Sequence, residues 1–575
     1  MLLSARNVNL DVERFKSFYH SWQSKILQDL YNQDTREENI NLKASFLKQN
    51  AQKNNQELFF TLKELDNEAQ YKRYYEKLIA LLMYQNIDEQ AFQKGLEKIN
   101  EKTEKRKGNG VYYTPDDVSS FIIVNSLGLL SKENKLYKNS QPLINKLNDN
   151  FINFSIFDPT CGTGAFVVKS FDIKVEIAQK KYGQLSDEML LSIVDSLYGN
   201  DIDPFSAYIS QTRLLFKAIS LSKTVNIHSI LRILKKNFYN YDFLSNYPLI
   251  NKKFDFIVGN PPYVEKSKLQ NKAIAKYGNI YADVVENSFN LLKKNGVLGY
   301  IIPLSYISTP RFAQLRNYIK NNTSKQYILS YADRPDCLFS GVHQKLNILI
   351  AKKDKSKKNE VLTSDYNYWY KSQRRSLFDN VDFIKNNYMT EAFYPKLGNE
   401  LESNIYNKIT KNPLSIYSCI GGDNKLYLNM RATFWIKSFI RPPYKSDEYK
   451  EFLFDNLNVH LINIILNSSL FWWFWVKVSD CWHITIKELS LFKMPNLLDV
   501  DYKRAKSLSL LINNMLEDTK EEVNTKQTLY EYKHRKCKKL IDELDDFLAK
   551  IYNLSEQETQ YIKKYKEKYR LGIDN

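Results

Sequence analysis

At 575 residues the chain exceeds the size at which a single hydrophobic core stops growing, so two or three domains are expected. Hydrophobic residues at 43% are ordinary for a globular protein, and a formal net charge of +18 suits a polyanionic partner, although a merely solvated basic surface gives the same number. Five Cys and six His form no CxxC pair and no zinc-finger spacing, which argues against a structural zinc site and fits a reducing cytosol better than a disulfide framework; no metal is expected.

The first residues, MLLSARNVNLDVERF, lack the apolar core of a signal peptide, so a cytoplasmic protein is expected. Residues 1–107 contain no Pro and no Gly before Gly95. Their apolar residues recur at three- and four-residue intervals, as in Tyr75, Leu78, Ile79 and Leu82, which reads as a helical segment closed by the linker EKTEKRKGNG. Between 108 and 355 the short apolar segments FSIFDP, SLYGNDIDP, FDFIVGNPP, GVLGYIIP and LNILIAKK alternate with helical patterns. Strands alternating with helices predict an α/β domain on a parallel sheet, which binds ligands at the carboxyl ends of its strands. Residues 356–395 are polar and irregular, and a mixed region then runs to 500; counted with Trp369 it holds six of the seven Trp. The apolar run from Leu461 to Val478 includes Asn463, Asn467 and Lys477, too polar and too short for a confident membrane span, so no membrane association is expected. Residues 501–575 return to helical periodicity, with alternating charges and repeated Leu and Ile that suit a helical hairpin or short coiled coil.

Four constellations in the central region carry chemistry. Asp158-Pro159-Thr160-Cys161-Gly162-Thr163-Gly164 follows a strand and opens a helix. Its glycines let the backbone turn tightly and approach a ligand, so it reads as a cofactor loop or as a tight turn. No GxGxxG and no GK[ST] occurs in it, which excludes a P-loop. In Asn200-Asp201-Ile202-Asp203-Pro204, Asp201 is placed to accept hydrogen bonds from a ribose diol, while Asp203 is placed to cap the helix that Pro204 starts. Asp242-Phe243 offers an acceptor and a ring for a purine, or simply core. Asn260-Pro261-Pro262-Tyr263 follows the strand FDFIVG. Prolines there remove backbone donors and leave carbonyls outside any ladder. The Asn260 side-chain oxygen and the Pro261 carbonyl suit the two hydrogens of an exocyclic base amine, and Tyr263 suits stacking on that base.

In content and order these segments resemble the gamma-class, TaqI-like N6-adenine DNA methyltransferases. The resemblance covers residues 108 to 355 and begins at Gly110-Val111-Tyr112-Tyr113-Thr114-Pro115, similar to an element that packs on the methionine end of the cofactor. It implies a Rossmann-like methyltransferase sheet and S-adenosylmethionine as cofactor. Tyr113, Thr114, Pro115, Asp158, Thr160, Gly162, Gly164, Asp201, Asp242 and Phe243 are then the cofactor contacts. Asn260, Pro261, Pro262 and Tyr263 become the catalytic turn, and Phe339, in DCLFSGV, the second aromatic against a flipped adenine. Methylation of a base inside a duplex requires that base to be extruded, hence a second domain that grips double-stranded DNA. The segment HLINIILNSSLFWWFWVKVSDCWHITIKELSLFKMP resembles a target-recognition segment, which makes 356–500 a target-recognition domain. Trp472, Trp473 and Trp475 are expected in its core, and His483 and Lys477 are candidates to reach bases or phosphates. Gly421-Gly422-Asp423-Asn424 and Arg431 are candidates too, or else a hairpin turn and a surface charge. The function implied is the modification component of a restriction-modification or related defence system, with a separate endonuclease as possible partner. A fused restriction-modification enzyme and a catalytically silent DNA-binding subunit are the alternatives; the first hundred residues show no convincing nuclease constellation.

Overall fold

Every apolar segment singled out in the central region forms a strand. In chain order the strands are β1 (Ile156–Asp158), β2 (Leu197–Asn200), β3 (Phe238–Tyr239), β4 (Phe254–Gly259), β5 (Leu292–Pro303), β6 (Thr323–Tyr331) and β7 (Leu346–Lys353). The structure, a computed structural model, describes residues 114–573 apart from short stretches at 130–135, 145, 148, 223, 247–249, 269–275, 340–341, 357, 380, 444–447 and 524–528. The helical segment expected over 1–107 and the cofactor contact expected at Tyr113 lie outside the described residues.

The chain divides into two compact units, one of residues up to 302 with 318–326 and 348–359, the other of 303–317, 327–347 and 360 onward. In the first, β1 to β5 stand side by side in the order β3-β2-β1-β4-β5, all parallel, and β7 is next in the sheet order. Strands β1, β2 and β4 are buried on both faces except at Asp255, as parallel strands covered by helices must be. The longer helices of this unit include α1 (Asp116–Gly128), α2 (Ala165–Tyr182), α3 (Asp187–Asp195), α4 (Pro204–Leu221), α5 (Ile227–Asn237) and α6 (Ile280–Leu291). Asp203 caps α4 by accepting from the Ser206 amide, with Pro204 in the first turn, as its sequence position predicts. This is the expected α/β architecture.

The second unit contains β8 (Glu360–Asn367) antiparallel to β9 (Phe383–Lys385), helix α7 (Glu400–Thr410), and a three-stranded antiparallel sheet of β10 (Asn424–Asn429), β11 (Ser438–Phe439) and β12 (Tyr449–Phe454). Its longer helices include α8 (Asn456–Asn467), α9 (Ser469–Val478), α10 (Tyr502–Asp518), α11 (Lys538–Ile551) and α12 (Glu556–Lys564). The irregular stretch expected over 356–395 is corrected by β8, whose sequence EVLTSDYN buries Thr363 and Ser364 beside Val361 and Leu362. Its polar residues hide the strand because their hydroxyls are satisfied by backbone carbonyls, Thr363 donating to Leu397 and Ser364 to Asp365. Trp472, Trp473 and Trp475 are core residues, at most 1% exposed. No single helix among the described residues is long and apolar enough to cross a membrane; α8 and α9 pass that test only jointly, across a 70° bend.

Lys477 is the second correction. It reaches no solvent: its side chain is 0% exposed, and its ammonium lies 2.6 Å from Asp365 Oδ1, beside Glu402 Oε1 and 3.2 Å from the Tyr565 hydroxyl. Lys566 pairs with Asp365 at 2.9 Å, and the Tyr561 hydroxyl donates to Glu402 at 2.5 Å. Burial alone would raise the Asp365 carboxyl, but the Lys477 and Lys566 ammoniums hold it well below its ordinary range. Glu402 moves the other way, raised by burial and by the charge of Asp365. The cluster ties β8, α7, α9 and α12 into one body. Lys477→Met leaves Glu402 without its cation and is expected to cost about 3–5 kcal/mol of stability in denaturant unfolding; a loss under about 1 kcal/mol would contradict this account.

Candidate functional site

The site begins where β1 stops. After Asp158 the chain turns through Pro159 to Gly164 and enters α2, with Gly162 at φ +51° and Gly164 at φ +88°. A Cβ at Gly164 would meet Ser210 Oγ at 2.7 Å, whereas at Gly162 it would meet nothing within 4 Å. One glycine is therefore demanded by packing as well as by φ, and the other leaves open space beside the loop. The Thr160 amide donates to Asp158 Oδ1 at 3.0 Å, and the Gly162 amide to Asp201 Oδ2 at 2.8 Å. The Thr160 hydroxyl is buried and has no hydrogen-bond partner among the described residues. Thus the first two constellations meet in space as expected.

Asn200, quoted in the sequence without a role, holds this assembly together. Its side-chain amide donates to the Pro159 carbonyl at 2.9 Å and to the Tyr241 carbonyl at 3.2 Å, and its oxygen accepts from the Tyr241 amide at 2.9 Å. Its own carbonyl takes the Cys161 amide at 2.8 Å. Asn240 then donates to the carbonyls of Asp201 and Ile202 at 2.8 and 3.1 Å. Held in this way, Ile202 is 69% exposed between two carboxylates. An apolar residue flanked by acids at a strand end was the available signal for it.

Both acids are pushed upward. Burial raises the Asp158 carboxyl well above its ordinary range, with Asp201 adding like charge. Burial takes Asp201 up to about 6, against the amides of Asp203 and Gly162 that favour its charged form. Each Asp201 oxygen accepts one backbone bond, from Gly162 and from Asp203. A carboxylate oxygen accepts two, so capacity remains. Asp242 is otherwise engaged: it accepts from the Leu244 amide at 3.1 Å and the Ser245 hydroxyl at 3.0 Å, capping the turn Phe243–Asn246. Phe243 is 4% exposed and packs 6.2 Å from Phe157.

The turn after β4 lies beside this loop, because β4 is the parallel neighbour of β1. Asn260 donates from Nδ2 to Thr114 Oγ1 at 3.1 Å, and its Oδ1 accepts from the Tyr263 hydroxyl at 2.5 Å. Those two bonds fix which way the amide points. The Tyr263 hydroxyl also lies 3.0 Å from the Ile301 carbonyl, and its ring stands edge-on to Tyr281 at 6.2 Å. The Pro261 carbonyl accepts no hydrogen bond from the described residues, as its place after a strand predicts. Thr114, expected at the cofactor, is 2% exposed and bonded to Asn260; Pro115 precedes α1 as its cap residue.

In the second unit, Phe339 is 2% exposed, bridges to Val342, and its carbonyl accepts from the Cys337 thiol at 3.0 Å. His483 is exposed and paired with Asp480 at 2.9 Å, and Arg431 forms a backbone bridge to it. Gly421 and Gly422, at φ +148° and +101°, make the turn into β10.

The family profile described as Eco57I restriction-modification methylase matches residues 195–337, a stretch that contains Asn200, Asp201, Asp242 and the 260–263 turn. Over 227 residues the chain is 25% identical to the type II restriction enzyme and methyltransferase RM.Eco57I of Escherichia coli, covering 31% of this chain and 23% of that protein. It is 24% identical over 194 residues to the type II methyltransferase M.BstVI of Geobacillus stearothermophilus, covering 31% of this chain and 34% of the relative. The matches thus span about a quarter to a third of those relatives. Among solved structures, the type IIL restriction-modification enzyme MmeI in complex with DNA shares the fold, with a TM-score of 0.50 and 13% identity over 98% of this chain and 96% of that one.

Gly259 links the two halves of the site: a Cβ there would meet Asp158 Oδ1 at 2.7 Å and the Tyr300 ring at 3.3 Å. Gly259→Ala is expected to displace the Asp158 carboxyl and destabilise the fold by about 1–3 kcal/mol, read from the midpoint of chemical unfolding. An unchanged midpoint would mean that the two strand ends do not constrain each other.

Proposed function

We propose that this protein is an S-adenosylmethionine-dependent DNA methyltransferase acting on the N6 amine of adenine, as the modification component of a restriction-modification or related defence system. The observation that carries the reading is the juxtaposition, across the neighbouring strands β1 and β4, of a glycine loop holding two buried carboxyls and an Asn-Pro-Pro-Tyr turn with a fixed amide and a free carbonyl. Ligands of open α/β sheets bind at such a point, where strand order reverses. The similarity to restriction-modification methyltransferases supports the reaction class, and the order of the motifs supports adenine.

The residues present fit the cofactor. Asp201 keeps acceptor capacity for the ribose hydroxyls, the exposed Ile202 offers an apolar face to a purine, and the buried Thr160 hydroxyl in the glycine loop has no partner among the described residues. When bound, S-adenosylmethionine supplies an electrophilic methyl group on a positively charged sulfur. Asp242 and Phe243 contribute by shaping the wall of that pocket, since one caps and the other packs on Phe157. Asn260 Oδ1 has a second lone pair beyond the Tyr263 bond, and together with the Pro261 carbonyl it accepts the two hydrogens of the target amine. Accepting both turns the nitrogen lone pair out of conjugation with the ring. The Tyr263 ring, tethered through its hydroxyl, stacks on the extruded base. The region 108–355 is then the catalytic domain, and 356–500 with the helices of 501–575 grips double-stranded DNA. A silent DNA-binding subunit would hold duplex without transferring methyl groups.

Asn260→Ala is expected to lower methyl transfer to adenine in duplex DNA by at least about 100-fold while cofactor affinity stays within threefold. Full activity in that variant would remove the proposed acceptor. Asp201, raised to about 6, is charged only above that pH, and the charged form is the better acceptor for ribose hydroxyls. Cofactor affinity is therefore expected to fall about tenfold between pH 7.5 and pH 5 in calorimetric titrations, and the slope to vanish in Asp201→Asn. An unaltered slope in the variant would assign the titration elsewhere.

A further inference from the structure

The opposite ends of the same strands carry a different feature. A cavity of about 480 Å³ opens where β1, β2 and β4 begin, walled by Ser155, Ser196, Asp195, Arg232, Lys236 and Lys252. Its size lies within the range of small-molecule sites. Among the described residues that line it, three are cationic, Arg232, Lys236 and Lys252, and one is a carboxylate, Asp195, which Lys236 engages at 3.3 Å. Lys252 has no carboxylate within ion-pair distance among the described residues; its ammonium donates to the Tyr198 hydroxyl and lies 4.2 Å from that ring's centre.

A fourth cation stands behind the wall. Lys174 is 0% exposed, and its ammonium is held by the carbonyls of Ile152 and Phe154 and by the hydroxyl of Ser196, which lines the cavity. No carboxylate among the described residues pairs with it. The one whose charge acts on it, Asp255, is bonded to Ser155 and to Lys293. Burial lowers Lys174 to about 7 against the charge of Asp255, and lowers Lys252 against the charges of Asp195 and Asp255.

From this geometry we infer that the cavity at the amino ends of β1, β2 and β4 is an anion site that takes the phosphate of a small phosphate ester of mononucleotide size. Arg232 supplies a planar fork for two phosphate oxygens, Lys236 and Lys252 supply point charges, and Leu191 and Ile233 supply an apolar flank for the rest of the ligand. The bound anion brings negative charge to Lys252 and Lys174, neither of which has a carboxylate at ion-pair distance among the described residues. This site is separate from the one at the carboxyl ends, and nothing in the proposed methyl transfer uses it.

The test is calorimetric titration of the full chain with uridine monophosphate and, in a second arm, with inorganic phosphate, both with excess S-adenosylhomocysteine present to fill the other site. Saturable one-to-one binding of the nucleotide, competed by phosphate, is expected. Arg232→Gln and Lys252→Met should each weaken it at least about tenfold, the weight of one charge-assisted hydrogen bond, without changing affinity for S-adenosylhomocysteine. Arg232 is exposed, so its substitution leaves the fold intact even if that of Lys252 does not. Equal affinity for nucleotide and phosphate, or tighter nucleotide binding, both uphold the site and report whether the apolar flank contributes. Absence of saturable binding in both arms overturns it, as does binding that both variants retain. So does an effect of the variants confined to retention of duplex oligonucleotide, which would make these cations a nucleic-acid surface.

Discussion

Parallel pairing of β1 with β2 on one side and β4 on the other is the constraint on which the first unit depends. The register sets Asp158 opposite Gly199 and Phe157 opposite Ile257. Three strand ends therefore finish level, and the segments that follow them, 159–164, 200–203 and 260–263, emerge into one crevice. A slip of one residue would exchange the two packed faces of a strand and move its end by one position, so packing on both faces holds the register and, through it, the site. The polar bonds come second. Asn200 closes the gap between β1, β2 and the segment after β3 with side-chain bonds that a buried amide can ill afford to leave unmade.

The second unit solves a different problem. Its core is aromatic and dense, but α9 also brings a lysine inward, and burying an ammonium is tolerable only with opposite charge at hand. Asp365 from β8 and Glu402 from α7 supply it, with the tyrosines of α12 and the following turn satisfying remaining lone pairs. The arrangement specifies which elements meet, since each partner comes from a different one and none is satisfied alone. Part of the chain's basic excess is thus structural and unavailable to any nucleic acid.

Much of this was legible in the sequence, for definite reasons. Short apolar runs ending in Asp, Gly or Pro are strands of a parallel sheet because little else buries so many branched residues in so few positions. NDIDP declared both a strand-end acid and a cap, and the double proline declared an unpaired carbonyl; each signal is local. Long-range partners left no local trace. Asn200 looks like any turn residue until Tyr241 and Pro159 come beside it, and Phe243 looks available until Phe157 covers it. Lys477 comes just after five consecutive aromatic residues and reads as the polar edge of a recognition helix, although the paired carboxylates 75 and 112 positions away draw it inside. β8 escaped because its buried positions include Thr and Ser, polar in composition but satisfied in place.

The two ends of the sheet differ in the sign of what they lack. At the carboxyl ends Asp158 and Asp201 are raised, which means that the folded chain leaves their negative charge poorly compensated. At the amino ends Lys174 and Lys252 are lowered, which means the same for positive charge. A chain selected only for stability would pair such groups or replace them with apolar residues, because each uncompensated buried charge costs free energy. Their persistence is intelligible if ligands complete them: hydroxyls and a cationic sulfur at one end, a phosphate at the other. The buried charges that the fold leaves unmatched, rather than those it pairs, then mark where this protein meets other molecules.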